Sequence, residues 1–183
     1  IVTGSDDHDL RVWNVMEADA SSVRLHAHKG KVLCCCIVGK FIASGSEDSL
    51  VILWNMSSGK VKGKLRQHQQ PVTCLATDKK QLVFSGSVDM QICVWCTSTL
   101  SNIAVLRDHR LAVFCLSFIA PLQLLVSGGK ECEVRVWKMK DKNKSTILLR
   151  GHSASVTCLD TTDSLIASGS DDRSVRLWDA FSG

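Results

Sequence analysis

Five tryptophans stand at positions 13, 54, 95, 137 and 178, so the gaps between them are 41, 41, 42 and 41 residues. Random placement does not produce such regularity. A fixed period of this length marks a chain built from repeated supersecondary units, and it constrains the fold more tightly than any composition figure. Aligning on tryptophan brings further residues into column. Six positions earlier lies an acid: Asp7, Asp48, Asp89, Glu131 and Asp172. Four positions before the acid lies a hydroxyl (Thr3, Ser44, Ser85, Ser127, Ser168), each followed by glycine (Gly4, Gly45, Gly86, Gly128, Gly169). Some 16 to 18 residues upstream of the hydroxyl comes His28, His68, His109 or His152. Each histidine is followed four residues on by Val32, Val72, Val113 or Val156, and then by Cys34, Cys74, Cys115 or Cys158.

The segments around the tryptophans are short, rich in β-branched and aromatic residues, and follow turn-forming Gly, Ser and Asp. Val134 to Trp137 and Val175 to Trp178 alternate between apolar and polar side chains, as half-buried strands do. No stretch keeps a 3.6-residue period long enough for a helix. Each repeat therefore supplies about four short strands.

The period, Gly151-His152, the run from Ser168 to Asp172 and Trp178-Asp179 resemble the WD-repeat β-propeller family across essentially the whole chain. The second residue of the dipeptide is Asn twice, Cys, Lys and once Asp, which leaves the structural reading intact. The resemblance implies an all-β fold, a partial propeller of four-stranded antiparallel blades. At 183/41 the chain carries about 4.5 repeats, against the roughly 290 residues of a seven-bladed propeller. The expectation is a single propeller segment over residues 1–183, incomplete at both ends.

The resemblance also implies that His, hydroxyl, acid and Trp of each repeat form one hydrogen-bonded relay. The sets are His28, Ser44, Asp48, Trp54; His68, Ser85, Asp89, Trp95; His109, Ser127, Glu131, Trp137; and His152, Ser168, Asp172, Trp178. Thr3, Asp7 and Trp13 belong to a fifth. An indole N–H only donates, so once buried it needs an acceptor, which a serine hydroxyl provides. A histidine, a serine and an aspartate also invite a hydrolase reading. Catalytic constellations occur once per site, however, whereas this one recurs four times with an indole in each, and no G-x-S-x-G elbow stands apart. Catalysis and catalytic residues are not expected. Glu131 departs from the aspartate column; its extra methylene predicts that this blade is the loosest, and that Glu131→Asp raises the melting temperature.

Composition closes off other classes. The net charge of +4 is spread along the chain and there is no tyrosine, which argues against direct nucleic-acid binding. The longest uncharged apolar stretch, Leu111 to Ser127, contains Pro121 and polar residues and falls short of the ~20 apolar residues of a spanning helix. Nine cysteines, an odd number with four in one repeat column, read as small buried residues in a reducing compartment, cytoplasmic or nuclear. Cys93 and Cys96 have a zinc-like gap, but three positions apart on a strand they face opposite ways, so no metal site is expected. Cys34-Cys35-Cys36 is likewise strand. No cofactor motif is present. Lys60 to Arg66 reads as an outermost strand whose lysines discourage edge pairing, and Lys138 to Lys144 as a solvated loop.

In the family, partners dock on the face that carries the His-to-Val loops and the acid-bearing turns. Here that face draws on three columns. Before the column valine stand Lys31, Pro71, Ala112 and Ser155. After it stand Leu33, Thr73, Phe114 and Thr157. Before the turn acid stand Asp6, Glu47, Val88, Lys130 and Asp171. Phe114 amid apolar neighbours, ringed by charge, has the anatomy of a protein-binding anchor; packing into a neighbouring blade is its other reading. The face lacks the arginine cluster of a phosphopeptide reader. The expected function is a non-catalytic interaction scaffold for protein or peptide partners within a multiprotein complex. The alternative is a substrate-recognition segment of a larger enzyme such as a ubiquitin ligase.

Overall fold

The structure, a computed structural model, describes residues 1–14, 22–139 and 147–181, and every regular element in them is a strand. Five antiparallel sheets follow one another along the chain. The first holds β1 (Val2–Gly4), β2 (Asp9–Trp13) and β3 (Ser22–His26). The Trp54 blade is β4 (Val32–Val38), β5 (Phe41–Ser46), β6 (Leu50–Asn55) and β7 (Val61–Arg66). The Trp95 blade is β8 (Val72–Thr77), β9 (Leu82–Ser87), β10 (Ile92–Cys96) and β11 (Ser101–Leu106). The Trp137 blade is β12 (Val113–Ile119), β13 (Leu124–Gly129), β14 (Glu133–Lys138) and β15 (Ile147–Arg150). The Trp178 blade holds β16 (Val156–Thr161), β17 (Leu165–Ser170) and β18 (Val175–Asp179). Strands pair in chain order within each sheet, so every sheet is a meander.

Aspartate suits the turn between second and third strands for a local reason. Ser49, Met90, Cys132 and Arg173 follow the turn acids in left-handed backbone, with φ between 62° and 67°. This geometry brings the N–H two residues beyond the acid onto a short carboxylate: Leu50 N to Asp48 at 3.1 Å, Gln91 N to Asp89 at 3.0 Å, Ser174 N to Asp172 at 2.9 Å.

The apolar core lies between blades, not inside them. Trp95 packs with Val38, Phe41, Val51 and Leu53 of the preceding blade, and Trp137 with Phe84, Ile92 and Val94 of its own predecessor. Trp54, Trp95 and Trp137 are fully buried; truncating a side chain of this size to alanine costs about 3–5 kcal/mol.

The glycine column is the other half of this packing. A Cβ at Gly4, Gly45, Gly86 or Gly128 would lie 2.6–2.7 Å from Cγ1 of the next blade's column valine: Val32, Val72, Val113 and Val156 respectively. A Cβ at Gly45, Gly86 and Gly128 would also crowd the sulfur of the same blade's column cysteine. Each valine thus seats in a slot that only glycine leaves open, which fixes the register of blade against blade.

The lysine-rich run forms β7, which among the described residues pairs only with β6 and is the outer strand. Its lysines do more than guard an edge. Lys62 Nζ lies 3.9 Å from the centre of the Phe41 ring and donates to the Thr97 carbonyl of the next blade at 2.9 Å. Of the polar run from Lys138 to Lys144, Lys138 is exposed at the end of β14, and residues from 140 onward lie outside the described ones.

Candidate docking face

Each of the four complete relays closes. Trp54 Nε1 donates to Ser44 Oγ at 2.8 Å, and that hydroxyl lies 2.8 Å from His28 Nε2. His28 Nδ1 lies 3.0 Å from Asp48 Oδ2. A carboxylate only accepts, so Nδ1 carries the proton, Nε2 accepts, and the serine hydroxyl donates to it. Burial lowers the His28 pKa against the opposing pull of Asp48, which keeps the ring neutral as this arrangement needs. Indole to hydroxyl is 2.7 Å in the Trp95 blade and 2.8 Å in the Trp137 and Trp178 blades. Trp13 donates to Thr3 at 2.9 Å in the first sheet. With Ser44, Ser85 and Ser127 fully buried and Ser168 nearly so, these hydroxyls hold strands together and offer no nucleophile to solvent.

The acids do a second job. Asp48, Asp89 and Asp172 accept the backbone N–H just after each histidine, from Lys29 at 2.8 Å, Gln69 at 3.0 Å and Ser153 at 3.0 Å. One carboxylate therefore ties the loop entering a blade to the turn between its second and third strands. Burial raises the pKa of Asp48 and Asp89, yet the hydrogen bonds from the relay histidines and from the backbone outweigh it and hold both below the usual aspartate range.

In the Glu131 blade the extra methylene meets a further partner. Glu131 reaches His109, and Arg135 grips it from the other side, with Nε to Oε1 at 3.1 Å and NH2 to Oε2 at 3.0 Å. Arg135 is itself buried and also bonds Asp108 and Glu133, each at 3.1 Å. Against the cost of burial, His109 and Arg135 lower the Glu131 pKa to about 2. Glutamate fits because the longer side chain meets the guanidinium. The turn itself comes closer to the entering loop: a Cβ at Gly129 would lie 2.1 Å from the Ala112 carbonyl oxygen.

The docking columns come together through two backbone devices. The N–H of the residue before the turn acid donates to the carbonyl before the column valine: Glu47 to Lys31 at 3.0 Å, Val88 to Pro71 at 3.1 Å, Lys130 to Ala112 at 2.9 Å, Asp171 to Ser155 at 3.0 Å. The third column sits on β-bulges. The register of the inner strand shifts between Val32 and Cys34, Val72 and Cys74, Val113 and Cys115, and Val156 and Cys158. Leu33, Thr73, Phe114 and Thr157 are the extra residues, freed from the ladder and re-aimed by the bulge. Leu33, Glu47, Val88, Lys130, Thr157 and Asp171 are exposed, while Lys31, Pro71, Thr73, Ala112, Phe114 and Ser155 are half-buried. Lys31 pairs with Asp6 at 3.0 Å. Thr73 is committed to the blade seam, its Oγ1 donating to the Val113 carbonyl at 2.5 Å. Phe114 belongs to none of the core clusters of the described residues; the inner-strand aromatic that crosses to a neighbouring blade is Phe118, stacked 5.0 Å from Phe84.

Four matches to the WD40 family model, described as "WD domain, G-beta repeat", fall at residues 20–55, 59–96, 100–138 and 143–179, each running from the outer strand of one sheet to the third strand of the next. The chain belongs to the WD40 family. Over 64 residues, 35% of this chain, it is 44% identical to Mitochondrial division protein 1 of Aspergillus terreus, covering 10% of that protein. Over 75 residues, 36% of this chain, it is 43% identical to CCR4-associated factor 4 homolog of Candida glabrata, covering 13% of it. Over 76 residues, 38% of this chain, it is 38% identical to WD repeat-containing protein 26 homolog of Arabidopsis thaliana, covering 13% of it. The chain thus matches only about a tenth of the length of these curated relatives.

The WD40 columns carry residues that the relay alone does not call for. Ser46, Ser87 and Ser170 donate to the carbonyls of Gly30, Gln70 and Ala154 at 3.0–3.1 Å and accept the N–H of the turn acid. The recurring Ser-Gly-Ser was the signal for them. The Arg135 column also holds Arg11 and Arg176, with Ile52 and Cys93 between them, so the sequence marks the arginine without marking its role. Among the cysteines, Cys93 is fully buried in the core, and burial pushes its thiol up to about 12. Cys96, on the opposite side of the strand, is half-buried, and hydrogen bonding to Ser98 and Thr99 lowers it to about 6. Among the described residues no helix is long and apolar enough to cross a membrane.

Proposed function

We propose that this chain is a non-catalytic scaffold segment that docks protein or peptide partners on the face bearing the bulges and acid turns, in the cytoplasm or nucleus. One observation carries the reading. The histidines, serines and acids of the repeat columns are consumed in the relays, while the bulges turn Leu33, Phe114 and Thr157 out of the strands beside Glu47, Val88, Lys130 and Asp171. A rigid sheet beneath and a mixed apolar and charged rim above is the arrangement in which anchors bind without ordering costs. Nine free thiols fit a reducing compartment. The name of one relative, CCR4-associated factor, is that of an associating protein.

Affinity capture tests the proposal, using wild type, Phe114→Ala and an outer-strand control, Lys64→Ala, each matched for melting temperature. Loss of the same captured proteins from Phe114→Ala alone supports docking on this face. Retention of every captured protein by Phe114→Ala, or its unfolding at temperatures where wild type is intact, refutes it.

A further inference from the structure

Charge is not evenly shared around the docking face. In the Trp54 blade Lys31 is neutralised by Asp6, and Glu47 lies close enough to add to that balance. In the Trp95 blade Asp89 is spent on His68 and on backbone N–H groups. The Trp137 blade is different. Its three acids, Glu131, Glu133 and Asp108, all converge on buried Arg135. Arg110, in the loop before β12, and Lys130, in the turn between β13 and β14, stay exposed and enter no ion pair among the described residues. The N–H of Arg110 bonds to Glu131 and that of Lys130 to Ala112, so both are anchored by their backbones with their side chains left over.

Apolar surface adjoins these two cations. Leu111, Val88 and Met90 are 42%, 39% and 43% exposed, and Phe114 sits half-buried in its bulge opposite Gly128 and Gly129. Seating of Val113 in the Gly86 slot, and the hydrogen bond from Thr73 to Val113, bring the Val88 turn against the start of β12. Two blades thereby contribute to one patch.

Resting on the docking reading above, we infer that the partner of this patch is a short peptide segment with a leucine- or phenylalanine-type anchor flanked by aspartate or glutamate carboxylates. The anchor covers Phe114, Leu111 and Val88, and the carboxylates meet Arg110 and Lys130. An acidic segment supplies the ion-pair partners that the Arg110 and Lys130 side chains lack among the described residues. A basic partner would meet two unscreened like charges.

Fluorescence anisotropy with labelled octapeptides tests this, each with a Leu-Phe centre. One is flanked by Asp and Glu, a second by Asn and Gln, and a third by phosphoserine. The acidic peptide is expected to bind about tenfold tighter than its amide analogue and to weaken several-fold between about 50 and 300 mM NaCl. Arg110→Glu combined with Lys130→Glu should abolish that preference, while Lys80→Glu, exposed between β8 and β9 outside the docking columns, leaves it within about twofold. Equal binding of acidic and amide peptides overturns the charge assignment. If both are still lost in Phe114→Ala, the docking face survives that failure. Insensitivity to Phe114→Ala sinks the face as well. No binding of any peptide overturns the inference, as does a phosphopeptide that binds far more tightly than the carboxylate one.

Discussion

The Trp95 and Trp137 blades stand side by side with the same indole–hydroxyl–imidazole chain and anchor its far end differently. In the Trp95 blade Asp89 closes a tight turn, bonding Gln91 N locally and His68 across the blade, and Ser87 stitches the turn to the Gln70 carbonyl. In the Trp137 blade the serine is Gly129, the acid is Glu131, and Arg135 comes in from β14 to hold it. What persists is a physical requirement: buried N–H groups need acceptors, and a buried carboxylate needs donors. Which side chains meet it is free to vary, provided they vary together.

The sharpest way to break this comparison is Arg135→Met. It leaves Glu131 facing His109 with its cationic partner gone, and should cost about 3–5 kcal/mol, measured by urea unfolding. A loss no larger than for an ordinary surface substitution would mean that Arg135 decorates the relay instead of completing it. The seam between the two blades comes next. Gly86→Ala would put a Cβ 2.6 Å from Cys74 Sγ and 2.7 Å from Val113 Cγ1, and should destabilise by about 1–3 kcal/mol. A loss no larger than for an ordinary exposed glycine would show that the valine slot is not what the glycine column is for.

A smaller effect tests the substitution at the heart of the comparison. Glu131→Asp pulls the carboxylate back from Arg135 and should lower stability by about 1 kcal/mol, the reverse of what the aspartate column alone predicts. Adding Gly129→Ser should not rescue it, because the Ala112 carbonyl occupies the space that a serine Cβ needs. A rise in melting temperature for Glu131→Asp would vindicate the simpler column argument.

The smallest effect separates the blades by pH. Glu131 is depressed, so its contribution is complete above its ordinary value of 4.5 and fades as pH falls toward about 2. His28 is also depressed, and below its ordinary value of 6.5 the unfolded chain takes up a proton that the buried ring resists. Stability should therefore begin to slip between pH 7 and 5 through His28, and drop more steeply below pH 4.5 as the carboxylates protonate. Replacing His28 with Asn should flatten the first part of a melting-temperature profile against pH. An unchanged profile would remove His28 as its source.

Much of the fold is legible in the residues because the repeat is written one unit at a time. Trp, hydroxyl, acid and His recur at spacings set by strand and turn lengths, and the bonds between them are made within a single blade. The three columns that the resemblance assigns to docking sit at fixed offsets from the column valine and the turn acid, and backbone hydrogen bonds join two of them. The role of Arg135 was not legible, because it depends on three acids converging from the loop before β12, the turn and β14. Nor was the reason for the glycines, which lies in the following blade some 27 residues on, from Gly45 to Val72 and from Gly86 to Val113. The bulge that turns Phe114 out of its strand is likewise a matter of strand pairing.

The sequence by itself determined the repeat and the strand content, which follow from local periodicity, and its resemblance to the WD-repeat family implied the relay. Only the tertiary structure decided how blades key into one another, which acids are neutralised and which cations stay free. Those outcomes depend on close approach between segments far apart in the chain, where a few tenths of an ångström separate a filled slot from a clash.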